Sequence, residues 1–169
     1  MDNKRKEVVY EICLNGIIAA LYATLTIFIA PLSYGPIQFR FSEILVLLCF
    51  FNKRYAIGLT LGCLIANCFS PTAVLDIPFG TFATALACLG IMFSKWLILA
   101  ITFPVICNAF IVALEFTILD NAPYWFNAGT IALGELAVMA IGYIFFFFIK
   151  RSTHFLNAIK ANQNREFKF

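Results

Sequence analysis

The sequence predicts an all-α integral membrane protein, a compact bundle of six transmembrane helices with both termini in the cytoplasm. Three observations carry this. First, 62% of the 169 residues are hydrophobic and 12% are charged. Soluble domains carry about 25% charged residues, so a folded chain of this size cannot hide its apolar surface without lipid. Second, the apolar residues fall into six stretches, at about 12–31, 39–51, 55–69, 74–93, 96–119 and 128–149. Third, eleven of the twelve Lys and Arg residues fall on one side of that alternation. They occupy the N-terminus, the 52–54 turn, the 94–95 turn and a tail at 150–169. Cytoplasmic segments carry such an excess. The chain reads as a single membrane domain.

The first span follows Lys4, Arg5 and Lys6. Its apolar run exceeds the usual 7–15 residues of a signal peptide, and no small-x-small cleavage site follows, so it reads as a retained helix. Within "NGIIAALYATL" the pairs Gly16/Ala20 and Ala19/Ala23 have the small-xxx-small spacing that lets helices approach closely. That spacing serves either the chain's own packing or a second membrane subunit.

The second and third spans fall short of the roughly 20 residues that a crossing helix needs. Only Asn52, Lys53 and Arg54 separate them. They form either two short, steep helices or a hairpin that does not fully cross, and either choice keeps the termini on one side. The third span carries a GxxxG at Gly58 and Gly62. The fourth and fifth spans are joined by the short Ser94–Lys95 turn, and the sixth ends at Lys150 and Arg151.

The outer half contrasts with this. Its one cation is Arg40, in "YGPIQFRFSE", against the acids Glu43, Asp76, Glu115, Asp120 and Glu135. The outer half is formally −4 and the inner side +7, which together return the net +3 of the chain. Glu115 is predicted about 6 Å below the outer end of the fifth span, with Asn108 two helical turns away on nearly the same face. Glu135 is predicted about 10 Å into the sixth. Ionisable groups inside a span are costly, face the bundle interior or a wet cavity, and mark functional sites. Each of the others has a plainer reading beside the functional one. Arg40 and Glu43, at i,i+3, can pair at a helix start. Asp76 can cap a helix after "SPT". Asn67 and Asn108 can bond between helices. Trp125 can belong to an interfacial aromatic belt, and Asp120 can be solvated in a loop.

The outer loops "SYGPIQFR", "CFSPTAVLDIPFG" and "DNAPYWFNAG" mix Pro and Gly with aromatic and polar residues, whereas the inner turns are short and basic. Recognition is therefore expected at the outer face. The candidate substrate-binding residues are Gln38, Glu43, Asn67, Asp76, Asn108, Glu115, Trp125 and Glu135.

Catalytic machinery is absent from the sequence. The six cysteines lie in apolar runs without a CxxC pair, and His154 is the one histidine, so they read as small core residues rather than a metal site. There is no GxxxxGK[ST] and no HExxH. An enzyme, a cofactor, a metal and a nucleic-acid partner are not expected. Two membrane acids leave open a stand-alone proton-coupled carrier using Glu115 and Glu135.

"YGPIQFRFSEIL" and "GCLIANCFSPTAVLDIPFGTFAT", followed by "NAFIVALEF" and "IALGELAVMAIGY", resemble the QueT family of queuosine-precursor transporters. The resemblance spans roughly residues 10–150. It implies a substrate-binding (S) component of an energy-coupling factor (ECF) transporter, in a bacterial plasma membrane. The implied substrate is a 7-deazaguanine, foremost the aminomethyl compound pre-queuosine 1. The implied partners are a membrane coupling subunit, docking on an Ala-rich face of the first helix matched by Ala19 and Ala23, and two cytoplasmic ATPases. Gln38 would bond the ring, and Arg40 would orient Glu43. The chemistry agrees. Adjacent ring N–H donors suit a carboxylate, an ammonium suits an acidic half, and a flat ring suits aromatic faces.

Overall fold

A computed structural model describes residues 3–33, 39–120 and 122–161, and among these every regular element is helical. In chain order they are α1 (Asn3–Phe28), α2 (Ala30–Ser33), a 3₁₀ helix (Phe41–Leu47), α3 (Leu48–Phe51), α4 (Tyr55–Asn67) and α5 (Ala73–Phe93). Then come α6 (Leu97–Ala100), α7 (Thr102–Asp120), α8 (Tyr124–Ile149) and α9 (Thr153–Ala158). Among the described residues, four stretches are long and apolar enough to cross a membrane: Arg5–Phe28, Ala73–Phe93, Leu97–Leu119 and Tyr124–Ile149. Their outer faces expose Ile17, Phe82, Phe110, Leu133 and Phe148, as lipid contact requires.

The helices close a ring. α1 packs on α4, α4 on α5, α5 on α7 and α7 on α8, and the 3₁₀ helix touches both α8 and α1 to complete it. The second apolar stretch, a 3₁₀ helix running into α3, is a short post in that ring and also packs on α5 and α4. Seven 3₁₀ residues at about 2.0 Å and four α residues at about 1.5 Å reach roughly 20 Å, well short of the roughly 30 Å hydrocarbon layer. Val46, Leu47, Cys49 and Phe50 are fully buried. A segment walled in on every side has no polar face, and "FSEILVLLCFF" has none apart from Ser42 and Glu43.

Other boundaries move for local reasons. The fifth stretch breaks at Ile101 between α6 and α7. Pro104 explains this, because its ring excludes the carbonyl four residues back, at Ala100. α8 begins at Tyr124, so most of "DNAPYWFNAG" is helical rather than loop. Pro123 supplies the cap carbonyl, accepting from Phe126 N at 2.9 Å. Asp120 closes α7 instead of lying in a loop. After Lys150 the chain turns back. Ser152 Oγ caps α9 by accepting from Phe155 N. Phe155 packs on Phe51 and Phe146, while Tyr55 and Asn52 donate to the Ile159 carbonyl. The start of α1, the 52–54 turn and the segment after α8 therefore share one end of the ring.

The GxxxG belongs to the chain's own packing. A Cβ on Gly62 would lie 2.8 Å from the Ala19 carbonyl oxygen, and one on Gly58 would lie 2.7 Å from that of Asn15. Gly58 N also donates to Asn15 Oδ1 at 3.0 Å. Ala19 and Ala23 are buried on this inward side. Gly62→Val should therefore force α1 from α4 and cost about 1–3 kcal/mol. Thermal unfolding of the purified chain in detergent reads this as a lowered midpoint, and an unchanged midpoint would remove the seam from the account.

Candidate functional site

At the end of the ring opposite α9, Arg40 and the start of α5 bring buried charge together. Arg40 precedes the 3₁₀ helix and is 2% exposed. Its Nη2 donates to Asp76 Oδ1 at 3.2 Å, and its Nε to the Ser33 carbonyl at 3.2 Å. Asp76, in the first turn of α5, accepts from the Ser70 hydroxyl and from Thr72 Oγ1 through its other oxygen. Its main-chain carbonyl accepts from Asn67 Nδ2 at 2.9 Å. Asp76 does not cap α5, whose cap residue is Thr72. Both Asp76 oxygens are taken, which makes it the anchor of Arg40.

Glu43 is held separately. Tyr22 on α1 and Thr84 on α5 both donate to Glu43 Oε1, the latter at 3.2 Å. Thr84 also lies 3.2 Å from Cys63 Sγ. The Arg40 guanidinium pairs with Asp76, and the i+3 acid Glu43 is a further charged neighbour. Thr26, one turn along α1, donates to Ser42 beside it at 2.6 Å. Three elements meet at this one side chain: the 3₁₀ helix that carries it, α1 and α5.

The deep acids complete the cluster. Glu115 stands five residues before the end of α7, about 8 Å down, and Glu135 eleven residues into α8, about 16 Å down. Glu135 is deeper than the sequence implied because α8 starts four residues before 128. Asp76 and Arg40 are the charged neighbours of Glu115. Glu43, Arg40 and Asn108 are the neighbours of Glu135. Arg40 is therefore common to all four acids.

Among the described residues, Ser33 Oγ, Glu43 Oε2, Asn67 Oδ1, Asn108 Oδ1, Glu115 Oε1 and Oε2, and Glu135 Oε1 are buried without a hydrogen-bond partner. All but the Ser33 hydroxyl are pure acceptors. An unsatisfied buried polar group costs about 1–3 kcal/mol, and charged ones more. Six buried acceptors in this part of the bundle favour hydrogen-bond donors.

Of the residues selected from sequence, Glu43, Asn67, Asp76, Asn108, Glu115 and Glu135 come together. Trp125 does not. It is 73% exposed, with its ring edge against Phe110 and Tyr124, on the outside of the bundle. That position fits an interfacial anchor. Gln38 lies outside the described residues. Sequence reasoning missed Tyr22 and Thr84. Their one signal was a hydroxyl inside an apolar helix, which many packed helices share.

A family model described as QueT transporter matches residues 12–151. Among curated proteins, the Queuosine precursor transporter QueT of Lactococcus lactis subsp. cremoris is 36% identical over 155 residues, covering 82% of this chain and 90% of the relative. No solved structure matches the chain significantly.

Proposed function

The chain belongs to the QueT transporter family, and on that premise we propose that it is the substrate-binding component of an ECF-type, ATP-driven importer of 7-aminomethyl-7-deazaguanine. It captures this queuosine precursor at the outer face of a bacterial plasma membrane. The observation that carries the substrate is the set of six buried acceptors without partners. The ligand answers it with ring N–H groups, an amino group and an ammonium. The ammonium also relieves a centre where four acids face one guanidinium.

Orientation follows the charges. The end carrying α9, Arg54 and Lys160 is cytoplasmic, and the acidic cluster opens outward. The 3₁₀–α3 post and α4 together make the second and third passages of a six-segment bundle. Gln38 is assigned to the ligand on its place in the sequence. A membrane coupling subunit and two cytoplasmic ATPases supply the driving force, and the chain itself catalyses nothing.

The coupling subunit meets the open side of α1. Ala19 and Ala23 face inward, so the docking face shifts to Gly16 and Ala20, which are exposed on the neighbouring ridge. A Cβ on Gly16 would touch nothing within 4 Å. A groove of about 520 Å³ runs beside it, with Ala19, Asn15 and Gly58 among its lining residues. Gly16→Leu and Ala20→Leu should abolish most uptake by steric exclusion while leaving ligand binding by the isolated chain intact. Equal loss of binding would place this face in the chain's own packing instead.

Two measurements test the proposal. Mass spectrometry of the purified chain should identify a co-purifying aminomethyl-deazaguanine. Vesicles holding the chain alone should show no uptake under a proton gradient and should need the coupling module with ATP. Gradient-driven uptake by the chain alone would instead establish a carrier working through Glu115 and Glu135.

A further inference from the structure

The unpartnered acceptors divide into two groups that differ in shape. Neither carboxylate oxygen of Glu115 has a hydrogen-bond partner, and its charged neighbours are Asp76, whose carboxyl approaches it side chain to side chain, and Arg40. Asn67, which bonds the Asp76 main chain, adds its open Oδ1 on that side. The second group offers single atoms. Glu43 has only Oε2 open, because Tyr22 and Thr84 both occupy Oε1. Glu135 leaves Oε1 open, and its neighbour Asn108 leaves Oδ1 open.

Donor chemistry divides in the same way. The guanine-type edge of a deazaguanine presents two parallel N–H bonds, from N1 and the 2-amino group, which suit one carboxylate with two open oxygens. An ammonium presents three N–H bonds that diverge, which suit three separate acceptors. We infer that Glu115 grips the N1 and 2-amino edge, and that Glu135 Oε1, Glu43 Oε2 and Asn108 Oδ1 surround the aminomethyl ammonium. This rests on the substrate class proposed above and adds the orientation of the ligand within the site. Tyr22 and Thr84 are positioning residues here. By saturating Oε1 they reduce Glu43 to a single-atom acceptor that cannot compete for the paired edge.

The test is a ligand-by-variant matrix measured by titration calorimetry on the full chain in detergent, using 7-aminomethyl-7-deazaguanine and unsubstituted 7-deazaguanine. Glu115→Gln should weaken both ligands by the same factor, about 10- to 100-fold. Glu135→Gln and Asn108→Ala should weaken only the aminomethyl compound, and their intact binding of the plain ring shows that they fold. A ligand without the 2-amino group should reproduce the Glu115 loss on the unaltered chain, which separates lost contact from misfolding. The inference is overturned if Glu115→Gln spares the plain ring, if Glu135→Gln weakens both ligands equally, or if removing the 2-amino group costs nothing. If the unaltered chain binds neither ring, the substrate class itself falls.

Discussion

Arg40→Met is expected to destabilise the chain by about 3–5 kcal/mol, the usual cost of removing one partner of a buried ion pair. Arg40 is 2% exposed and bonds Asp76 and the Ser33 carbonyl, so it ties the end of α2 to the start of α5. It is also the positive neighbour shared by Glu43, Asp76, Glu115 and Glu135. Without it, Asp76 keeps the Ser70 and Thr72 hydroxyls but loses its counter-charge, and three further acids lose theirs. Thermal unfolding in detergent should show a large drop in midpoint. Adding Asp76→Asn should recover part of it, because removing both partners of a buried pair is milder than removing one. A single variant as stable as the parent, or a double variant worse than the sum, would contradict this role.

The second large effect is on affinity. Glu115→Gln and Glu135→Gln each remove a charged acceptor while keeping size and shape. Each charge-assisted bond contributes about 1.5–3 kcal/mol, or roughly 10- to 100-fold in Kd. The two acids approach the ligand from different helices and from different neighbours, so their losses should add. The double variant should therefore bind aminomethyl-deazaguanine about 100- to 10,000-fold more weakly than the parent. Both variants should insert and fold, because Gln is cheaper than Glu in a membrane. A double variant no weaker than either single one would mean that the acids act through one shared contact.

Much of the architecture was legible because membranes impose simple lengths. Runs of about 20 apolar residues located α5 and α8 to within four residues, whereas α1 begins nine residues before its predicted span and the fifth stretch is divided into α6 and α7. The short post was not legible, since a stretch buried on every side has no hydrophobic period to separate α from 3₁₀. α9 was missed because six residues after a basic turn carry little pattern. They are held by Phe155 packing on Phe51 and Phe146 and by the bonds from Tyr55 and Asn52 to the Ile159 carbonyl. Charge inside an apolar run pointed to inward-facing acids, and Glu43, Asp76, Glu115 and Glu135 are all buried. Their division of labour was hidden in long-range partners. Nothing local says that Asp76 takes Arg40, or that Tyr22 reaches Glu43 across 21 positions. Trp125 shows the opposite failure, an aromatic in the right loop that the start of α8 turns outward.

The central claim is that this bundle, alone, holds a cationic deazaguanine in a pocket of acceptors. Titration calorimetry of the purified, unaltered chain with 7-aminomethyl-7-deazaguanine tests it most directly. The account predicts saturable one-to-one binding, tighter by about 10- to 100-fold than for the same ring without the aminomethyl group. No binding, or equal affinity for the two rings, would contradict it.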